Sequence, residues 1–145
     1  MAHETLTISA ANRPEELGRI ATELGGFAEE NDLPMRSAMH LDLAVEEIVS
    51  NVIKYGFEAD DIRDDAIEIA LTLQGDSLAI RIADRGRAFN PLEDAPVPDI
   101  EAEVEDRPIG GLGVHIVKAT MAELRYTRDG GRNILDMVLS LSAPA

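Results

Sequence analysis

The sequence predicts an α+β fold, a two-layer α/β sandwich in which antiparallel strands back onto helices. Three observations lead there. Some stretches alternate apolar and polar residues while others repeat at ~100° per residue, the periods of strand and helix. The elements follow the order β-α-α-β-β-loop-α-β-β. Short turns containing glycine join two of the strand pairs, which makes hairpins and disfavours a doubly wound parallel sheet.

Residues 4–10 alternate and read as the first strand. Asn12 before Arg13-Pro14-Glu15-Glu16 marks a helix start, with proline in the first turn and acids at the positive end of the dipole. Leu17, Ile20, Leu24 and Phe27 supply its apolar face, and Asn31-Asp32-Leu33-Pro34 ends it. A second helix is predicted from Met35 to Tyr55, with Leu41, Val45, Ile48, Val49 and Val52 on one side and Gly56 as its stop. Residues 58–65 are charged and turn-like. Residues 66–73 and 78–83 are alternating strands joined around Gln74-Gly75-Asp76-Ser77. Four prolines and seven acids fill 90–108, too long for a routine connection and thus a functional lid or a disordered stretch. A third helix follows Gly113 to about Met121, and strands at 124–127 and 134–141 flank Asp129-Gly130-Gly131.

A chain of 145 residues is the size of one domain, spanning 1–145, and 45% hydrophobic content suits a folded core. There is no cysteine, which excludes disulfides and thiolate metal sites. A formal net charge of −15 argues against direct nucleic-acid binding and would favour a basic protein partner. No tryptophan and five other aromatics leave little for base stacking. No long apolar run or signal pattern is present, so a cytoplasmic protein away from the membrane is expected. His3, His40 and His115 lack mutual metal-ligand spacing.

Three local patterns carry chemistry. Glu47 and Asn51, four apart on a helix, lie on one side. An Asn carbonyl oxygen suits one corner of a Mg²⁺ octahedron whose other corners are phosphates and waters, and a neighbouring carboxylate can take a proton from an attacking hydroxyl. The same spacing also describes an ordinary solvated helix face. Asp84 closes an apolar strand before Arg85-Gly86; a buried carboxylate there can accept from the amino group of adenine, and Gly86 admits close backbone approach. A plain turn aspartate is the alternative. Gly110-Gly111-Leu112-Gly113 opens an apolar helix, where amides and dipole attract phosphate. It is neither a Walker A loop nor a Rossmann turn, and a glycine hinge remains open.

The segments LDLAVEEIVSNVIKYGF, IRIADRGRAFNPLE and GGLGVHIVKATMAELRY…GGRNILDMVLSL resemble the three ATP-site boxes of the superfamily holding gyrase and histidine-kinase ATPase domains. Within it, the chain is most similar to the bacterial anti-sigma factor serine kinases, across nearly its whole length. The resemblance implies a Bergerat-type fold, a mixed, mostly antiparallel sheet with helices on one face. It also implies ATP and Mg²⁺ as cofactors and Ser/Thr kinase activity toward an anti-anti-sigma protein, with a sigma factor as second partner and a homodimer. By the same resemblance Asn51 is the magnesium ligand, Glu47 the base and Asp84 the adenine contact. Gly86 shapes the base pocket, and Gly110, Gly111, Leu112 and Gly113 wrap the phosphates. Ala88 stands where the superfamily's adenine box often has glycine, a variant that suits the anti-sigma branch. A lid around 90–109 would bring seven acids near a triphosphate, with Arg107 as the offsetting cation and candidate γ-phosphate contact. A non-catalytic, ATP-gated binding module is the alternative function. A histidine-kinase catalytic domain fits less well, because the chain starts almost at its first strand.

Overall fold

The computed structural model describes residues 4–94 and 112–142. Its elements are β1 (Glu4–Ala10), α1 (Glu16–Glu30), α2 (Met35–Tyr55), β2 (Ile67–Gln74), β3 (Ser77–Asp84), α3 (Leu112–Thr120), β4 (Glu123–Asp129) and β5 (Arg132–Ser140). The five strands form one sheet in the order β1-β2-β3-β5-β4, and every described pairing is antiparallel. The predicted α+β class therefore stands, with the sheet at the fully antiparallel limit.

Register explains how the sheet builds a core. Ile8, Ile69, Ile82 and Leu135 lie side by side across four strands, as do Leu6, Leu71, Ile80 and Met137. Because side chains alternate along a strand, these rows share one face. They join Ile20, Leu24 and Phe27 of α1, Leu41, Val45, Ile48, Val49 and Val52 of α2, and Val117 of α3 in a single apolar cluster. Val45, Ile48 and Val49 are completely buried. Burying each such side chain is worth about 1.5–3 kcal/mol, so Ile48→Ala alone would cost several kcal/mol.

The next row along the same face is different: Ala10, Ile67, Asp84, Asn133 and Arg128 stand side by side. Polar groups thus replace the apolar ladder at one end of the sheet. Two-residue loops make both hairpins. In the β4–β5 loop Gly130 and Gly131 have φ of 60° and 77°, the left-handed geometry of a turn that matches strand twist and that side chains resist.

Two local expectations are corrected. Asn12 does not cap α1, whose N-cap is Glu15 with no side-chain cap bond. The Asn12 amide instead donates to the Asp61 carbonyl (2.8 Å) and accepts from the Arg63 amide (2.8 Å), pinning the loop before β2. The third helix begins at Leu112, which puts Gly113 inside its first turn. Residues 90–94 form a tight turn in which Asn90 and Asp94 side chains accept backbone amides. The remainder of the predicted lid, with Arg107, Gly110 and Gly111, lies outside the described residues. Among the described residues no helix is long and apolar enough to cross a membrane.

Candidate functional site

Helix α2 carries two of the singled-out residues toward α3. Glu47 is half-buried in the wall of a cleft shared with Leu43, Glu46, Ser50, Lys54, Gly113 and Ile116. Gly113 packs directly on the Glu47 side chain: a Cβ added there would overlap its Cδ and Oε2 and lie 2.7 Å from its Cγ. No L side chain could occupy position 113 without moving Glu47. A pair 66 positions apart in sequence is thus brought into contact by α2–α3 packing.

Asn51 lies one turn further along α2 and is only 2% exposed. The solvated-face reading therefore fails for Asn51. Its Nδ2 is buried with no hydrogen-bond partner among the described residues. Leaving such a group unsatisfied costs about 1–3 kcal/mol, so the Asn51 amide is a buried polar group that a ligand could satisfy. The two terminal amide atoms exchange by a 180° flip, so either the oxygen or the nitrogen can face that position.

The end of α2 is tied to the β3 turn. The Gly56 carbonyl accepts the Arg87 amide (2.9 Å), and Arg87 Nε donates to the Tyr55 carbonyl (2.7 Å). Gly86 packs so closely on the Gly56 carbonyl that a Cβ would run into it, and the same Cβ would stand 3.0 Å from Asp84 Oδ1. This contact joins the Glu47/Asn51 helix to the Asp84 turn. Tyr55 and Phe89 rings meet beside it at 5.8 Å between centroids.

Asp84 is 3% exposed. Its Oδ1 accepts from the Gly86 amide (2.9 Å) and from Asn133 Nδ2 (3.0 Å). Burial pushes the Asp84 carboxyl above its ordinary value, while the Asn133 and Gly86 hydrogen bonds and the nearby Arg128 cation pull it back. The result is an oriented, desolvated acceptor at the end of the core face.

Sequence reasoning missed Asn133, the hub of this end. Besides Asp84, its Nδ2 donates to the Arg87 carbonyl (2.7 Å), and its Oδ1 accepts from the Phe89 amide (3.1 Å) and the Tyr126 hydroxyl. Arg128 Nη1 donates to the Gly86 carbonyl (2.8 Å) from the neighbouring strand. The signal was present: Asn133, Leu135, Met137 and Leu139 share one parity. Starting the strand at 134 hid the polar member. Lys54, three residues after Asn51, was missed too and lines the Glu47 cleft.

Among the described residues no three His, Asp or Glu side chains converge to hold a metal. The oxygen donors lining the cleft are the Glu46 and Glu47 carboxylates and the Ser50 hydroxyl, with the Asn51 amide one turn along α2 from Glu47. That set suits an ion that arrives with its own phosphate and water ligands better than a caged one.

A helix layer on one face of an antiparallel sheet, with a buried carboxylate at the sheet's end, makes this a two-layer α/β sandwich domain with a polar site at one edge. The profile of the histidine kinase-like ATPase domain matches residues 10–139, and the chain belongs to that family. More particularly, it is 27% identical to "Serine-protein kinase RsbW" of Listeria monocytogenes over 139 residues, covering 92% of this chain and 85% of that protein. The Bacillus licheniformis protein of the same name is 26% identical, with 90% and 82% covered. A solved structure of the RsbU and RsbW domains of a Mycobacterium tuberculosis protein has a TM-score of 0.70 at 19% identity, covering 98% of this chain and 34% of that one. These relatives bear out the resemblance carried by the three sequence boxes, and the solved structure bears out the fold.

Proposed function

We propose that this protein is an ATP-dependent serine/threonine protein kinase and anti-sigma factor, phosphorylating an anti-anti-sigma protein and binding a sigma factor. The observation that carries it is Glu47, held against Gly113 one helical turn from a buried Asn51 whose Nδ2 has no partner among the described residues. The relatives named serine-protein kinase support the reaction type.

In this reading Asp84 accepts from the adenine amino group, and Asn133 holds its carboxylate in line. Gly86 keeps the pocket open for the base, and Lys54 offsets phosphate charge. Asn51 would hold Mg²⁺, which supplies neutralisation of the phosphate oxygens when bound. Gly110, Gly111, Leu112 and Gly113 would present amides to the phosphates, with Arg107 toward the γ-phosphate. Glu47 takes the proton from the acceptor serine hydroxyl as its oxygen bonds the γ-phosphorus. The bond from that phosphorus to the bridging oxygen breaks, and ADP leaves with the electron pair. Such transfer depends on positioning and charge stabilisation, so one base with few ligands suffices.

The test is transfer of radiolabelled γ-phosphate to the serine of a small anti-anti-sigma protein from the same organism, run alongside nucleotide titration. Glu47→Ala should keep ATP affinity and lose roughly 10²–10⁴-fold in transfer. Asn51→Ala should also lose the Mg²⁺-dependent part of ATP binding. Wild-type protein that binds ATP and the partner but never labels it would overturn the kinase and leave the ATP-gated binder.

A further inference from the structure

A broad groove lined by described residues lies away from Glu47 and Asp84, at the other end of α2 and α3. It has a volume of about 590 Å³ and is lined by Pro34, Arg36, Ser37 and His40 at the start of α2, Ala119 and Thr120 at the end of α3, and residues 139–142 at and just beyond the end of β5. That volume is in the range of small-molecule sites.

Its chemistry runs against the rest of the molecule. The chain has 28 acids against 13 lysines and arginines, yet no described lining residue is acidic and two are Arg36 and His40. Arg36 makes no ion pair or hydrogen bond among the described residues. Helix α2 has 21 residues, no side-chain N-cap bond and no acid in its first turn. Its first hydrogen-bonded amide is that of Ala38, which donates to the Pro34 carbonyl and leaves the Met35, Arg36 and Ser37 amides at a positive helix end with no acid in its first turn. A second observation is independent of the helix end. Ser37 lines the groove and is only 6% exposed, and its hydroxyl makes no hydrogen bond among the described residues. Opposite these polar groups lie Leu139, which is buried, and Leu141, which is partly so.

We propose that this groove binds a small amphipathic anion, a carboxylate or phosphate monoester on an apolar body. The head would sit on the Arg36 guanidinium, the Ser37 hydroxyl and the α2 amides, with His40 beside it. The body would lie on Leu139 and Leu141. The site stands apart from the proposed nucleotide site and does not depend on it.

The experiment is a ¹H–¹⁵N titration of the whole protein with octanoate, octyl phosphate, 1-octanol and acetate, all below micelle-forming concentrations. Octanoate and octyl phosphate should shift the Arg36, Ser37, His40 and Ser140 amides in a saturable way. Octanol and acetate, lacking the head and the body respectively, should bind at least about tenfold more weakly. Arg36→Gln with Ser37→Ala should weaken octanoate about tenfold while leaving the ligand-free melting temperature and ATP binding unchanged. Octanol binding as tightly as octanoate, or no saturable shift at millimolar octanoate, overturns the proposal without any variant. Shifts confined to residues around Glu47 and Asp84 overturn it too, and would mark the anion as a weak ligand of the nucleotide site.

Discussion

Asn133 Nδ2 lies 3.0 Å from Asp84 Oδ1, on the same carboxylate oxygen that receives the Gly86 amide. The two residues are 49 positions apart but directly opposite in the β3–β5 ladder. Cross-strand neighbours on one face are close enough to interact, so the contact follows from register alone. The orientation of the proposed adenine acceptor is therefore set by strand pairing and by no feature of its own turn beyond the Gly86 amide.

Replacing Asn133 tests that dependence. Asn133→Ala removes the partner of the Phe89 amide, the Arg87 carbonyl and the Tyr126 hydroxyl at once. Urea denaturation should show a loss of about 1–3 kcal/mol for the buried groups left unsatisfied, and calorimetry should show weaker ATP binding. Unchanged values in both would mean that Asp84 is oriented by something else.

Asp84→Asn separates affinity from stability. It should weaken ATP by about 1–3 kcal/mol, because the charged acceptor is lost. Stability should respond oppositely with pH. The folded Asp84 carboxyl is raised by burial, so folding favours its protonated form. Its contribution is fully present below the unfolded value near ~3.9 and is lost as pH rises through the folded value. The variant should accordingly gain on the wild type in denaturation midpoint as pH rises above ~4. A variant that instead loses ground to the wild type with rising pH would contradict the raised carboxyl.

Gly113→Ala probes the α2–α3 contact. The added methyl must displace Glu47, because it would overlap the carboxylate and stand 2.7 Å from Cγ. Phosphotransfer should fall by roughly 10-fold or more, since small misplacement of a reacting group is costly. Far-ultraviolet circular dichroism should be unchanged. Full activity in this variant would remove Glu47 as the base in its present position.

Asn12→Ala offers a structural contrast. Its amide ties the loop before β2 through Asp61 and Arg63 and touches none of the site residues. Stability should drop by about 1–3 kcal/mol while ATP affinity, measured by calorimetry well below the melting temperature, stays within twofold. A parallel loss of affinity would place that loop in the nucleotide site.

Much of this was legible from residue order. The alternation through 66–73 and 78–83 located β2 and β3, and the 3.6-residue period located α2 to the residue at both ends. Glu47, Asn51, Asp84, Gly86 and Gly113 could be nominated because helix spacing and strand ends are local properties. Pairings are not local. Gly113 against Glu47 depends on how α2 and α3 pack, and Asn133 opposite Asp84 on a ladder between strands far apart in sequence. Asn12 misled for a related reason: a good capping residue was drawn to a distant loop where its amide meets two backbone groups.

The strand order β1-β2-β3-β5-β4 has a consequence for how the molecule assembles. β4 precedes β5 in the chain yet touches the sheet only through it. β4 therefore cannot join the sheet before β5 is in hand, and the short Gly130-Gly131 turn between them lets the two reach β3 as one hairpin. Hairpins close in about 1–10 μs, whereas the long-range β3–β5 pairing must first close a loop across the intervening segment. Asp84 is then without Asn133 in every species that precedes hairpin docking. Such species leave a bare carboxylate at the end of an unfinished sheet, so the proposed adenine acceptor would be oriented only once β5 has paired with β3.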